Sequence, residues 1–291
     1  MPTNFNPFPP RRRSLGTTLR GLKFWLQRKY GKAEFASLAL PNLSLRVQVG
    51  ARTLFARQIT KYGSYETDNT NWLLSCFGAD RGGLFVDVGA NFGWYSMVFS
   101  KCAGRNGKVI AIEPDSKNFE LLARNIRDNG LSNLVALNVG VGAERTQATL
   151  SALDASNPGA HSVRPVAAAL ESTLIEIHRL DELLSDHPGA IEVLKVDIEG
   201  YEIEALQGAT ETLGRTRRVL IEYSPRFLRA CGHEPQELLE LLRSHGFRPN
   251  LVERGALKQT TFSDVLMSVE DMAPSGRWQV DLVLTRAEPN A

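Results

Sequence analysis

The sequence predicts an α/β fold built on a mostly parallel sheet. Three observations carry that expectation. From Leu84 onward, short apolar runs alternate with amphipathic helical stretches, the pattern of strands joined by crossover helices. The first run, Leu84 to Val88, breaks into Gly89-Ala90-Asn91-Phe92-Gly93 and passes into helical spacing at Trp94, Tyr95, Met97, Val98 and Phe99, which reads as strand, glycine turn and helix N-terminus. Acids recur at the ends of the runs, at Glu113, Asp197 and Glu222, with Asp87 inside the first run.

Taken in order, residues 1–13 are rich in Pro and Asn and end in Arg11-Arg12-Arg13, a disordered start. Residues 14–30 have helical spacing, with Leu15, Leu19, Leu22, Trp25 and Leu26 on one face. Arg11, Arg12, Arg13, Arg20, Lys23, Arg28 and Lys29 add basic charge there with no acid between them. Such a helix either packs on the body with a solvated basic face or makes a peripheral membrane contact through residues 11–30. Residues 35–60 alternate as a small β-meander, Phe35 to Leu40, Leu43 to Val49 and Thr53 to Ile59, broken at Pro41-Asn42 and Gly50. The expected organisation is an N-terminal segment over 1–60 and a main domain over 61–291, which opens with a helix near 69–77.

In the main domain, strand one is 84–88. Strand two, Lys108 to Ile112, ends at Glu113-Pro114-Asp115. A helix from Ser116 to Asp128 sets Phe119, Leu122, Ala123 and Ile126 on one face, with Asp115 or Ser116 as its cap and Gly130 as its stop. Strand three is Leu134 to Asn138, strand four Val193 to Asp197 and strand five Arg218 to Glu222. A helix over Gly200 to Leu213 separates the last two. Another helix has Pro235 in its first turn, Leu238, Leu239 and Leu242 on its apolar face, and ends at Gly246. Final strands fit Phe247 to Val252 and Gln279 to Thr285. Between strands three and four, strand-like Thr146 to Leu153 and Ser172 to Leu180 flank a Pro- and Gly-containing loop, a β-hairpin insertion.

Composition narrows the function. The 291 residues suffice for a full core, and a net charge of +2 gives no general attraction to nucleic acid. Cys76, Cys102 and Cys231 show no metal-ligand spacing, and their odd number suits reduced thiols in a cytoplasmic protein. No run reaches the ~18–20 apolar residues of a membrane span, and no signal-peptide core is present. The expected location is cytoplasmic or membrane-peripheral. His178, His187, His233 and His245 have no spaced partners, so no metal is expected.

The acids indicate the ligand. In open α/β sheets ligands bind beyond the carboxyl ends of the strands. A buried carboxylate costs desolvation unless partnered, so repeated acids there have another purpose. Glu113 follows the glycine turn by about 20 residues, the offset at which an acid receives ribose hydroxyls. Gly-x-Asn-x-Gly is not the Gly-x-Gly-x-x-Gly of a dinucleotide site, and Asp87 would repel a pyrophosphate. An acid in this strand suits a nucleoside carrying an amine and a positive charge, as S-adenosylmethionine does.

These residues resemble a family. Phe85-Val86-Asp87-Val88-Gly89-Ala90-Asn91-Phe92-Gly93-Trp94-Tyr95-Ser96, Ala111-Ile112-Glu113-Pro114-Asp115, Leu194-Lys195-Val196-Asp197-Ile198-Glu199-Gly200-Tyr201-Glu202 and Leu220-Ile221-Glu222 look like the FkbM-type methyltransferases. Tyr62-Gly63-Ser64-Tyr65-Glu66 and Leu180-Asp181-Glu182-Leu183 also fit, so the resemblance runs over roughly residues 60–285. It implies a Rossmann-like seven-stranded methyltransferase sheet with one antiparallel strand. It also implies S-adenosyl-L-methionine as cofactor and O-methylation of a hydroxyl on a sugar, glycolipid or glycosylated small molecule. By position it implies that Asp87, Gly89, Asn91 and Gly93 hold the methionine end. Glu113 would hold the ribose, Asn138 would lie near the adenine, and Asp197 would face the reacting centre.

An aliphatic hydroxyl attacks carbon well only if its proton is accepted as it does so. Asp197 is the expected base, with Glu222 and Glu66 as alternatives that can instead hold acceptor hydroxyls. Asp197 also fits as a cap of the following helix, and Glu199 and Glu202 fit its first turn as capping or solvated acids. His161 in the hairpin loop is a base, a lid contact or simply exposed, and Tyr201 and Phe227 belong either to an acceptor groove or to the core. Two other functions compete: an RNA methyltransferase gripping through the basic N-terminus, and a non-catalytic cofactor-binding protein. The absence of Asn-Pro-Pro-Tyr at strand four and the near-neutral charge weigh against nucleic acid.

Overall fold

The structure is a computed structural model that describes residues 19, 21, 35–40, 43–51, 53–77, 81–152, 161–163, 171–272 and 279–286. The proposed basic helix over 14–30 lies outside them apart from Leu19 and Gly21, as does most of the hairpin loop.

Strands β1 (Phe35–Leu40) and β2 (Leu45–Gly50) pair antiparallel. The expected third strand of a meander is instead helix α1 (Leu54–Tyr62). Strand alternation from Thr53 would have put Arg57 on the apolar face. A helical turn groups Phe55, Ala56 and Ile59 inside instead. Thr53 caps the helix by accepting from the Ala56 N–H at 3.2 Å, and Gly63 ends it at φ 76°. Helix α2 (Thr67–Phe77) leads into the main sheet.

The main sheet contains β3 (Gly83–Val88), β4 (Gly107–Ile112), β5 (Leu134–Leu137), β10 (Ile191–Val196), β11 (Arg218–Tyr223), β12 (Phe247–Glu253), β13 (Ala256–Gln259) and β14 (Val280–Arg286). Their order across the sheet is β13-β12-β14-β11-β10-β3-β4-β5. The order reverses between β3 and β10, so the crevice beyond their carboxyl ends is the place for a ligand. Strand β14 runs antiparallel to both β11 and β12, and the edge strand β13, not foreseen in the sequence, runs antiparallel to β12. Strand β10 is buried along its whole length, as a central parallel strand with both faces covered must be. Between β5 and β10 lie β6 (Gly140–Val141), β7 (Thr146–Ala152), β8 (His161–Ser162) and β9 (Glu171–His178). Strands β7 and β9 pair antiparallel, as the expected hairpin insertion requires.

Helices cover both faces. One core gathers Phe85, Val109, Val193, Leu220 and Val283 beneath α2 and α3 (Trp94–Ala103). The other gathers Val86, Leu194, Val196, Ile221 and Leu282 with Ile203, Leu206, Leu238 and Leu242. The expected helix over Gly200 to Leu213 is two short ones, α6 (Glu202–Gln207) and α7 (Thr210–Arg215), after the four-residue α5 (Leu180–Leu183). Helix α8 (Pro225–Ala230) precedes α9 (Pro235–Ser244), and α10 (Phe262–Met272) precedes β14. Helix α9 opens on a reciprocal capping box between Glu234 and Glu237.

The β1–β2 hairpin shares the first core through Leu40, Leu45, Val47 and Val49. Helix α4 (Ser116–Asp128) clips it in place. The buried Asn125 accepts from the Gln48 N–H at 2.6 Å and donates to the Gln48 carbonyl at 2.9 Å and to the Phe92 carbonyl at 2.7 Å. No helix among the described residues is long and apolar enough to cross a membrane.

Candidate active site

On the α2–α3 face, each apolar stripe of the central strands ends in an ionisable side chain at the same level. Side chains alternate along a strand. Phe85 is therefore followed on its face by Asp87, Val193 by Lys195, and Leu220 by Glu222, while Val283 is preceded by Asp281. The registers align them: Asp87 opposes Lys195, and Glu222 opposes Asp281.

Asp87 is fully buried. Its Oδ2 accepts from Ser96 Oγ at 2.5 Å, and its Oδ1 lies 3.5 Å from Lys195 Nζ. Burial raises the Asp87 carboxyl, against the pull of Lys195 and Ser96. The Lys195 ammonium also lies 3.2 Å from Asp197 Oδ2, donates to the Gly89 carbonyl at 3.3 Å and stands 5.2 Å above the Tyr95 ring. Burial works against its charge, yet Asp197, Asp87 and Glu66 together hold its pKa above the ordinary lysine value.

The glycine turn is locked to β10. Gly89 has φ 77°, and a Cβ on it would stand 1.9 Å from the Asp197 carbonyl oxygen, so no other residue lets the two strand tips meet. Asp197 N–H closes the junction by donating to the Val88 carbonyl at 3.2 Å. Asn91 follows at φ 53°, and its N–H donates to Glu113 Oε2 at 2.7 Å. Glu113 Oε1 accepts from the Asp115 N–H at 2.9 Å, which pins the carboxylate at the end of β4.

A cavity of about 1140 Å³, counted with its open mouth, lies over these strand ends. Gly89, Asn91, Glu113, Asp197 and Glu222 line it, together with Lys195, Glu199, Tyr201 and Gln279. Its wall on the β4 side is apolar, from Ile112, Pro114, Val139 and Val141, and the inserted sheet adds Leu150, Ile175 and Ile177. Other sequence-predicted residues stand behind that lining. Asp87 is one layer beneath. Gly93, at φ 92°, starts α3 against Leu122. Asn138 is exposed and turns its amide to the Glu113 and Pro114 carbonyls at 2.8 and 3.1 Å, bracing the Glu113 loop.

Glu66 also stands behind the lining, at φ 42°, where its carboxylate accepts from the Tyr95 hydroxyl and lies 3.4 Å from Asn69 Nδ2. Burial and then the charge of Asp197 raise the Glu66 carboxyl. Burial and then Asp197 also push Glu199 up to about 8 and Glu222 well above the ordinary range. Glu199 Oε2 is buried without a hydrogen-bond partner. Left-handed backbone at Glu66, Asn91 and Glu199 is strain gathered at one place, as functional sites often store it. Glu202 is a capping acid, as expected: it accepts from the Ile198 and Gly200 N–H groups at 3.2 and 3.1 Å. The side chain of His161 lies outside the described residues.

Sequence reasoning passed over Lys195 and Asp281. The available signal was a charge inside an otherwise apolar central strand, Val193-Leu194-Lys195-Val196 and Val280-Asp281-Leu282-Val283. Among the described residues no cluster of His, Cys, Asp and Glu is arranged to hold a metal ion.

Comparison with known proteins identifies a family for the chain. A family model described as the methyltransferase FkbM domain matches residues 87–249. The chain is 27% identical over 165 residues to the hexuronic acid methyltransferase AglP of Haloferax volcanii, covering 56% of this chain and 63% of that protein. It is 27% identical over 144 residues to methyltransferase 1 of Beauveria bassiana, covering 43% of this chain and 57% of that protein. The chain thus spans less than two thirds of either curated relative. Among solved structures, a methyltransferase FkbM from Methylobacillus flagellatus KT superposes with TM-score 0.43 at 22% identity, covering 71% of this chain and 44% of that one.

Proposed function

This chain belongs to the FkbM methyltransferase family, and we propose that it moves the methyl group of S-adenosylmethionine to a hydroxyl oxygen of a sugar, glycolipid or glycosylated small molecule, with Asp197 as general base. The observation that carries this reading is the seat of Asp197. It lines the cavity with a third of its side chain exposed, one oxygen held by Lys195 and its own backbone locked onto the glycine turn.

The residues present fit the cofactor. Glu113, pinned on the cavity wall, suits a ribose diol. The apolar wall of Ile112, Pro114, Val139 and Val141 suits a purine. The orphaned Glu199 oxygen and the carboxylates beside it suit a ligand with ammonium and sulfonium charge. When bound, that cofactor supplies an electrophilic methyl group on a charged sulfur. The chain then has to orient the acceptor, exclude water and take a proton. Asp197 Oδ2 keeps its bond to Lys195 while the carboxylate accepts the hydroxyl proton. Glu222, steadied by Gln279 at 2.8 Å, holds a further acceptor hydroxyl. Glu66, behind Tyr95, acts through that ring's position. The relative from Haloferax volcanii, named for hexuronic acid, supports a sugar acceptor.

The test is transfer of labelled methyl from S-adenosylmethionine to glycan and glycolipid pools from the producing cell, with wild type and Asp197→Asn. Label on a sugar oxygen that drops at least about a hundredfold in the variant supports the reading. Full transfer by the variant removes Asp197 as base, and label only on nitrogen or on protein overturns the acceptor class.

A further inference from the structure

Two acids stand opposite each other at the top of the sheet, on neighbouring strands. Glu222 on β11 and Asp281 on β14 are direct antiparallel partners, with side chains on one face. Like charges so placed repel, and burial magnifies the cost. Their surroundings add to it. Glu66, from the turn before α2, is linked to Asp281 through Asn69, whose Nδ2 is 2.8 Å from Asp281 Oδ2 and 3.4 Å from Glu66 Oε2. Asp197 and Glu199 bring further acid from beyond β10, and their charges are felt at Glu222. Tyr65 and Tyr95 contribute only neutral hydroxyls from the helical side, both with pKa values held well above normal, chiefly by burial. Lys195 is the cation that Glu66 and Asp281 feel among these groups, and it is already shared between Asp87 and Asp197. Burial, then Glu66 and Asp197, push Asp281 up to about 8.

We infer that the paired acids Glu222 and Asp281 hold a proton between them while the cavity holds no sulfonium and release it when one binds, so that methyl-donor binding is coupled to proton release. The inference rests on the proposed methyl donor. The cavity end lined by Asp197, Glu199 and Glu222 is where a positive ligand replaces the proton as counter-charge. The chemistry then closes on itself. As the new O–CH3 bond forms and the S–CH3 bonding pair returns to sulfur, Asp197 takes the hydroxyl proton. The sulfonium charge has gone, so the Glu222–Asp281 pair is again the favourable place for that proton. Asp281 acts here through Glu222 and touches no reactant.

Titration calorimetry of the whole chain at pH 7.5 with S-adenosylmethionine and, separately, S-adenosylhomocysteine tests this. Each ligand is run in phosphate and in Tris, whose ionisation heats differ. The expected result is net proton release with the sulfonium ligand and none with the uncharged thioether. The affinity ratio of the two should rise with pH from 6 to 8.5, by at most about tenfold per pH unit for each proton released. Asp281→Asn should reduce the release. Equal proton release for both ligands, or a ratio flat in pH, overturns the inference while leaving the methyl donor in place. Failure of wild type to bind either ligand overturns both. Because the comparison is between ligands on wild type, it does not depend on the variant folding.

Discussion

Lys195 and Asp87 are paired across neighbouring parallel strands, with the Lys195 ammonium 3.5 Å from Asp87 Oδ1 at a level of the sheet that solvent does not reach. The same ammonium bonds Asp197, so one buried cation ties the acid beneath the glycine turn to the acid at the cavity. Removing one member of a buried ion pair strands the other's charge.

Lys195→Met should therefore destabilise the protein at pH 8 by about 3–5 kcal/mol, and by less at pH 5, where the stranded carboxyls can protonate. Urea unfolding at the two pH values checks this. Equal losses at both would mean that the pair contributes packing alone.

Gly89→Ala should do more than a surface glycine change. The added Cβ would stand 1.9 Å from the Asp197 carbonyl, and φ is 77°. Left-handed backbone alone costs about 1–2 kcal/mol with a Cβ, and the clash adds to that by prising β3 from β10. The expected outcome is a lowered melting temperature and loss of S-adenosylmethionine binding by calorimetry. Gly130→Ala, at φ 60° with open space around it, should show the backbone cost alone and leave binding intact.

The ligand-free protein should lose stability as the pH rises from about 5 to 8. Glu199 and Asp281 are raised to about 8 and Glu202 to about 7, each first by burial. In the unfolded chain such carboxyls titrate near 4. Between those limits the folded protein holds more protons than the unfolded chain, so the stability they contribute is complete at the acid end and is lost as pH climbs through the folded values. Lys195, also raised, contributes throughout this window and loses its part only at strongly alkaline pH. Thermal melts at pH 5.5 and 8.5 should give the higher midpoint at 5.5. The reverse order would refute the buried, proton-holding state of these acids.

Asn125→Ala should loosen the β1–β2 hairpin from α4. It leaves the buried Phe92 carbonyl and both polar groups of the Gln48 backbone without their side-chain partner. A loss of about 1–3 kcal/mol is expected, with faster amide exchange in 45–50 than in β10. Unchanged exchange there would show that the apolar contacts of Val47 and Val49 suffice.

The architecture and the position of the glycine turn were legible along the chain. Strand and helix periods from Leu84 onward are local properties, and a glycine turn followed about 20 residues later by an acid has a meaning in order along the chain. The same local reasoning failed at Thr53–Ile59, where a few residues fit either period until Thr53 capped a helix and Arg57 needed solvent. It also failed at Lys195 and Asp281. A charge in a central strand is legible, but its partner is fixed by register, and register depends on which strands become neighbours. Only the tertiary structure brought Lys195 beside Asp87, Asp281 opposite Glu222, and Glu66 and Asn69 over both. Pairing energies between residues far apart in the chain exist only once the sheet has closed, and the charge balance at this site is made of such pairs.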